Sequence, residues 1–150
     1  MSFDRHRVEA QLALDLIVSC DMPKMACEAL AAGLDGSALR RLAGLEKPTP
    51  FETAEVLPEA VKEMGLSSLT VGEAAKRLAR ARIAEILGAN LDPLLYLREL
   101  ESMWVKTGYP RETRLVGTLY DEVWKHPGWS ESETRDWVIK QLKMFMLNSR

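Results

Sequence analysis

Cysteine is scarce in this chain, which has only Cys20 and Cys27 among its 150 residues. Two cysteines are too few to hold a secreted scaffold together, and the Cys-x-x-Cys spacing of a redox pair is absent. A disulfide between them would need their Cα atoms to lie within about 7 Å of each other. We therefore expect two reduced, buried thiols and a cytoplasmic protein.

Long apolar runs and an excess of one charge are also missing. Lys and Arg total 20 against 22 for Asp and Glu, which gives a formal net charge of -2. No apolar run approaches the roughly 18 to 20 residues that a membrane helix needs, and the charged start of the chain leaves no apolar region for a signal peptide. These features argue against a membrane protein and disfavour nucleic acid as a partner.

Sequence motifs for metal binding, phosphate binding or nucleophilic catalysis are also absent. The two histidines, His6 and His126, have no metal-binding spacing, and the nine glycines stand singly instead of forming a phosphate cradle. No Gly-x-Ser-x-Gly nucleophile elbow occurs. The sequence therefore predicts no catalytic residue, no metal site and no cofactor, and it disfavours an enzyme.

Strand-like alternation of apolar and polar residues is absent, whereas helix start and stop signals recur along nearly the whole chain. The fold class predicted is all-α, a single compact domain over residues 1–150 with seven to eight short helices in an irregular orthogonal bundle. The predicted helices span 4–21, 23–33, 38–43, 50–64, 71–87, 93–107, 111–125 and 130 to about 147.

Local signals fix several helix ends. Asp4 and Ser37 are expected N-caps, and three capping boxes begin at Thr49, Thr70 and Ser130. Pro58 removes one backbone donor inside its helix, so we expect a kink or a short break near residue 57.

Arg82 is an oddity because helical phase places it in the middle of an apolar face, with Glu85 near the edge. A buried guanidinium needs a partner, so we predict an ion pair with Glu85 or with a carboxylate from another helix. The alternative is an enzymatic or small-molecule pocket in which Arg82 binds an anion and His6, Glu9 or Glu85 transfers protons. If His6 and Glu9 have a structural role instead, we expect them to form a hydrogen-bonded pair near the core.

Basic side chains cluster along two stretches and support a third hypothesis, a nucleic-acid-associated regulator. The helix that precedes the second stretch is acidic, which favours local charge matching over a phosphate-binding stripe. The residues concerned are Arg40, Arg41, Lys76, Arg77 and Arg80.

Aromatic residues are distributed asymmetrically, since all four tryptophans and all three tyrosines lie between positions 96 and 137. Most are expected to be core anchors, among them Tyr120 and Trp124 on one helical face. Trp129 differs because it lies in a Pro-Gly turn. Trp129 and its neighbours Tyr109 and His126 are the predicted partner-binding residues, together with the terminal helix, which is apolar on several sides.

Three stretches in the middle half of the chain share helix caps and apolar spacing: SALRRLAGL (37–45), AVKEMGL (60–66) and ARIAEILGANLDPLLYLRELESMW (81–104). With them the chain resembles small all-helical bacterial proteins of unknown function. The resemblance implies an all-helical fold and a bacterial source, and it assigns no catalytic residue.

The function predicted first is a protein–protein interaction or regulatory module, of an adaptor or toxin-neutralising (immunity-like) kind. The partner is another protein or a second copy of the chain as a homodimer. This step rests on size and fold class rather than on a motif.

Overall fold

The computed structural model describes residues 3–149, and within that range the chain is all-helical with no β-strand. The predicted all-α class is therefore confirmed. The chain divides into two compact units, Met1–Leu69 (unit 1) and Thr70–Arg150 (unit 2). That the two units together make one domain stays a prediction, and each is described by itself.

Unit 1 contains four α-helices among its described residues: α1 (Arg5–Ala13), α2 (Met22–Ala31), α3 (Ser37–Ala43) and α4 (Pro50–Glu63). A 3-10 turn, Ser19–Asp21, leads into α2. Helices α2, α3 and α4 bury aliphatic and methionine side chains against one another. The sequence of unit 1 contains no tryptophan or tyrosine, since all of them lie between positions 96 and 137. The fully buried members of its core include Ala26, Leu39, Leu42, Ala60 and Met64.

The first helix is shorter than predicted, since α1 ends at Ala13 instead of continuing to residue 21. Asp15 has a positive φ of 54°, a conformation that stops an α-helix. Asp4 is the N-cap as expected, and its carboxylate accepts a hydrogen bond from the Arg7 amide at 3.2 Å. The two cysteines are free, but the prediction that they are buried was wrong, because Cys20 and Cys27 are both exposed.

A carboxylate from elsewhere in the chain caps α3, so the expectation that Ser37 is the N-cap was wrong. Gly36 occupies the cap position without a side chain. Glu63, at the end of α4, accepts hydrogen bonds from the Ala38 and Leu39 amides at 3.2 and 2.7 Å. A Cβ on Gly36 would lie 2.2 Å from the Glu63 carboxyl carbon, so only glycine leaves room for this cap.

Helix α4 begins at the predicted capping box, in which Thr49 and Glu52 exchange hydrogen bonds between side chain and backbone. Pro50 occupies the first helical position, where its missing N–H costs nothing. The helix continues through Pro58 to Glu63, so the short break considered near residue 57 does not occur.

Unit 2 contains α5 (Val71–Gly88), α6 (Leu97–Lys106), α7 (Arg114–Gly117), α8 (Leu119–Trp124) and α9 (Glu131–Asn148). The predicted Thr70–Glu73 capping box opens α5, and the Ser130 hydroxyl caps α9. The core is aliphatic at its centre and partly aromatic at its margin, where Tyr96, Tyr120 and Trp137 pack against it. Its most buried members include Ile83, Ile86, Leu100, Leu119, Val138 and Leu142.

Two predicted helices of unit 2 are interrupted. The segment after Asp92 starts as a 3-10 turn, Pro93–Tyr96, before α6 begins. The segment predicted over 111–125 is a 3-10 turn followed by α7 and α8, which only Thr118 separates. The Thr118 hydroxyl donates to the Arg114 carbonyl at 2.9 Å and so competes with regular helix geometry. With α7 and α8 taken as one bent helix, residues 3–149 form eight helices, as predicted.

No helix within residues 3–149 combines the length and the apolar character needed to cross a membrane.

Candidate functional site

Three aromatic rings meet at the start of α9 and form what we call the aromatic cluster: His126, Trp129 and Trp137. The His126 and Trp129 rings stack with their centroids 3.9 Å apart and their planes 4° from parallel. Trp137 lies 5.6 Å from Trp129 and 6.4 Å from His126. Because Trp137 packs against the unit 2 core, the stack is held on a rigid base.

Local sequence explains how the cluster forms. Helix α8 ends at Trp124, and the Trp129 amide then donates to the His126 carbonyl at 3.1 Å, closing a turn through Pro127 and Gly128. The Ser130 hydroxyl accepts from the Glu133 amide at 3.1 Å and starts α9 directly after the turn. The cap and the turn thus fix the backbone on both sides of the Trp129 ring.

Trp124 is 70% exposed, so the expectation that it anchors the core was wrong. It is the last residue of a short helix whose buried position is Leu119, and the chain turns away directly after it. The Trp124 and Tyr120 rings meet edge-on, with their centroids 6.2 Å apart. The Arg98 guanidinium lies over the Tyr120 ring, 5.1 Å from its centre. Hydrogen bonding from Arg98 lowers the pKa of the Tyr120 hydroxyl below its usual range.

Tyr109 stands apart from the aromatic cluster. It is 60% exposed and meets the Trp104 ring edge-on at 5.0 Å, while the Trp104 indole donates to the Pro110 carbonyl at 3.0 Å. Tyr109 has a positive φ of 58° directly after Gly108, which places it at the tip of the turn that ends α6. Of the three predicted partner-binding residues, the structure therefore brings His126 and Trp129 together and places Tyr109 beside a different tryptophan.

Arg82 shares the face of α5 that carries the buried residues Ala79, Ile83 and Ile86, but its side chain is not fully buried and remains 31% exposed. Its Nε and Nη2 donate to the two carboxylate oxygens of Glu99 at 2.8 and 3.1 Å. Its Nη1 donates to Glu85 at 2.7 Å. The guanidinium also lies 5.0 Å from the Tyr96 ring centre. This is the ion pair that the sequence predicts, with Glu99 on α6 as the partner from another helix.

The same hydrogen bonds, to Glu99 first and then to Glu85, raise the pKa of Arg82 above its usual value. Arg82 is not among the residues that line the cleft beside Lys76 and Phe145 or the cleft beside Arg135 and Ile139. An anion-binding pocket at Arg82 and Glu85 stays a prediction, but an incoming anion would have to compete with two carboxylates already in place.

The other sequence-predicted polar residues are dispersed. Arg40 pairs with Asp35, and Arg80 donates to the Met146 carbonyl and the Ser149 hydroxyl at 2.7 and 2.6 Å. Glu9 is buried as expected, and its carboxylate accepts a hydrogen bond from the Ser67 amide. The nucleic-acid hypothesis stays a prediction, although Arg80 is already engaged in holding the end of α9.

A groove of about 490 Å³ lies between the end of α5, the turn after it and α9. Sequence reasoning missed this groove. Its α9 wall carries Arg135, Ile139 and Lys143, spaced four residues apart, and that spacing is the signal that could have indicated a shared face. Hydrogen bonding from Arg135 lowers the pKa of Asp92, which lies at one end of the groove.

Within residues 3–149 there is no group of three or more His, Cys, Asp or Glu side chains positioned to bind a metal ion. No protein-family model, curated protein or solved structure matches the chain. The resemblance to small helical bacterial proteins stays a prediction.

Proposed function

We propose that this chain is a protein-interaction module of a regulatory or adaptor kind that acts in the cytoplasm. Its partner, another protein or a second copy of the chain, contacts Trp124 and the His126–Trp129 stack that follows it along the chain. The proposal draws on the aromatic asymmetry of the sequence and on how unit 2 displays those rings. Two free cysteines accord with a reducing compartment.

One observation carries the proposal: Trp124 is 70% exposed and lies five residues from a tryptophan already stacked in place. Burying a tryptophan on binding removes a large apolar area from water, and tryptophan is enriched among residues that dominate binding energy. Because the His126–Trp129 stack is ordered before binding, a partner would not have to order it.

Charged side chains border the aromatic rings in the way expected for the rim of an interface. Lys125 pairs with Glu122 at 2.8 Å, and Arg98 lies over Tyr120. An apolar centre with a charged rim favours a protein surface as the ligand, since rim charges direct encounter while the buried aromatic residues supply affinity.

Site-specific photocrosslinking tests the proposal. A photoreactive phenylalanine derivative replaces Trp124 in one variant and Phe51 in a matched control, because Phe51 is an equally exposed aromatic residue in unit 1. Extract of the source organism is irradiated, and adducts are resolved by mass. We expect a defined adduct from position 124 that is several times stronger than any adduct from position 51.

The adduct mass identifies the kind of partner. A mass of twice 16.9 kDa, also obtained with the purified chain alone, indicates a homodimer, whereas another mass indicates a different protein. Equal adducts from both positions, or none from position 124, would contradict the proposal.

A further inference from the structure

The segment between α4 and α5 joins the two units, because unit 1 ends at Leu69 and unit 2 begins at Thr70. Along the chain, the apolar core of unit 1 extends as far as Leu66, and that of unit 2 starts at Ala79. Any residue of this segment that is held in place must therefore be held by hydrogen bonds or by the first turn of α5.

The start of the segment is held by the end of α4. The Gly65 amide donates to the Lys62 carbonyl at 3.0 Å, and the Leu66 amide donates to the Val61 carbonyl at 3.1 Å. Together with the positive φ of 67° at Gly65, these two bonds form the motif that commonly closes a helix at a glycine. Leu66 also packs against the unit 1 core. Gly65 is therefore fixed, although glycine is the residue at which a flexible point would first be sought.

Glu9 on α1 holds the next residue of the segment. Its carboxylate is only 7% exposed and accepts a hydrogen bond from the Ser67 amide. A charged acceptor that is shielded from water forms a stronger hydrogen bond than an exposed neutral one. Helix α1 is in turn anchored by Val8, which belongs to the unit 1 core. Unit 1 thus holds the chain through Ser67.

Ser68 and Leu69 lack such contacts. Neither residue makes a hydrogen bond with any other residue in the range 3–149, and neither packs against one of the two apolar cores. Thr70 is already fixed to α5, because its hydroxyl accepts from the Glu73 amide at 3.1 Å and its amide donates to the Glu73 carboxylate at 3.4 Å. Two residues without contacts therefore lie between two fixed neighbours.

We propose that Ser68 and Leu69 form a hinge between the two units, with Glu9 fixing Ser67 at its start and the capping box fixing Thr70 at its end. Two residues contain four soft backbone dihedrals, which are enough to change the direction of the chain while both neighbours stay in place. The hinge goes beyond the function proposed above. It involves neither a partner nor an aromatic residue, so it can be tested on the purified chain alone.

Amide ¹⁵N relaxation tests the hinge residue by residue. Order parameters report motion on the picosecond to nanosecond scale, and relaxation dispersion reports the microsecond to millisecond scale. Within the joining segment we expect mobility on one of these scales at positions 68 and 69 alone. The order parameters of Leu66, Ser67 and Thr70 should be about 0.85, the value of rigid backbone, without exchange broadening.

Substitution of Glu9 then tests what fixes the start of the hinge. Glu9→Ala should make the Ser67 amide as mobile as that of Ser68, whereas Glu9→Gln keeps an acceptor oxygen and should leave Ser67 ordered. The matched control is Glu28→Ala, which removes a carboxylate from α2 that makes no side-chain hydrogen bond among residues 3–149. It should leave Ser67 unchanged. Circular dichroism checks that each variant is folded.

Thr70→Ala keeps the test decisive if Glu9→Ala does not fold, because it removes only an exposed cap. It should extend mobility to position 70 and leave Ser67 ordered. Three results would overturn the proposal: positions 68 and 69 as rigid as Leu66 on both timescales, Ser67 as mobile as Ser68 in the unsubstituted chain, or equal order of Ser67 in folded Glu9→Ala and Glu28→Ala.

Discussion

Each unit has its own kind of polar contact between segments that are distant in sequence. In unit 1, carboxylates accept hydrogen bonds from backbone amides, with Glu63 on the first turn of α3 and Glu9 on Ser67. In unit 2, arginines donate to carboxylates of other segments, as Arg82 does to Glu99 on α6 and Arg135 does to Asp92 in the turn after α5. A backbone amide cannot move into solvent without unwinding its helix, whereas an exposed carboxylate that loses an arginine is hydrated at once.

The units also differ in the kind of side chain that lies next to a closely packed glycine. Gly36 in unit 1 makes room for a flexible glutamate carboxylate. Gly117 in unit 2 lies on the Trp104 indole, where a Cβ would come within 2.3 Å of the ring. The indole is rigid and is held by its hydrogen bond to the Pro110 carbonyl. The same glycine-to-alanine change should therefore have different consequences in the two units.

Gly117→Ala should destabilise the protein by about 3 kcal/mol, because neither the indole nor α7 can move aside without losing packing. The matched control is Gly88→Ala, at the end of α5, where a Cβ meets nothing within 4 Å and alanine favours the helix. Urea denaturation followed by tryptophan fluorescence and circular dichroism measures both. Equal stability of the two variants would mean that the contact with Trp104 does not restrict position 117.

Glu63→Ala should cost about 2 kcal/mol, since it leaves the Ala38 and Leu39 amides without their charged acceptor. Glu59→Ala is the control on the same helix. Glu59 is exposed and pairs only with Lys62, so its loss should cost at most about 0.5 kcal/mol. Urea denaturation gives the difference, and amide exchange at residues 38 and 39 should accelerate only in Glu63→Ala.

A double-mutant cycle with Gly36→Ala isolates the cause. Alone, Gly36→Ala should cost about 1 kcal/mol because its Cβ displaces the Glu63 carboxylate. In the Glu63→Ala background the same change should cost close to nothing, since no carboxylate remains to be displaced. Additive costs would show that Gly36 matters for its backbone alone, although its φ of 164° is extended and open to any residue.

Helix existence and local caps could be predicted from sequence because the groups that interact are three or four residues apart. Thr49 with Glu52 and Thr70 with Glu73 are examples. The cap on α3 could not be predicted, since Glu63 lies more than 20 residues beyond the amides that it caps.

The candidate site shows the same limit. Helical phase correctly places Tyr120 and Trp124 on one side of a helix, but it does not say whether that side faces the core at the end of a helix of six residues. The His126–Trp129 stack could be anticipated from a short turn, whereas the groove needs α5 and α9 to lie together. Local spacing sets the faces, and packing decides which of them are buried.

Arg82→Leu should change the free energy of unfolding by less than about 1 kcal/mol, although Arg82 makes three hydrogen bonds. Glu85 and Glu99 are exposed, so water replaces the guanidinium that each carboxylate loses. Thermal and urea denaturation measure the effect, with Arg82→Lys as the variant that keeps the charge. A loss above about 2 kcal/mol would mean that arginine contacts in unit 2 cost as much to remove as the amide-bound carboxylate of unit 1, and the contrast between the two units would fail.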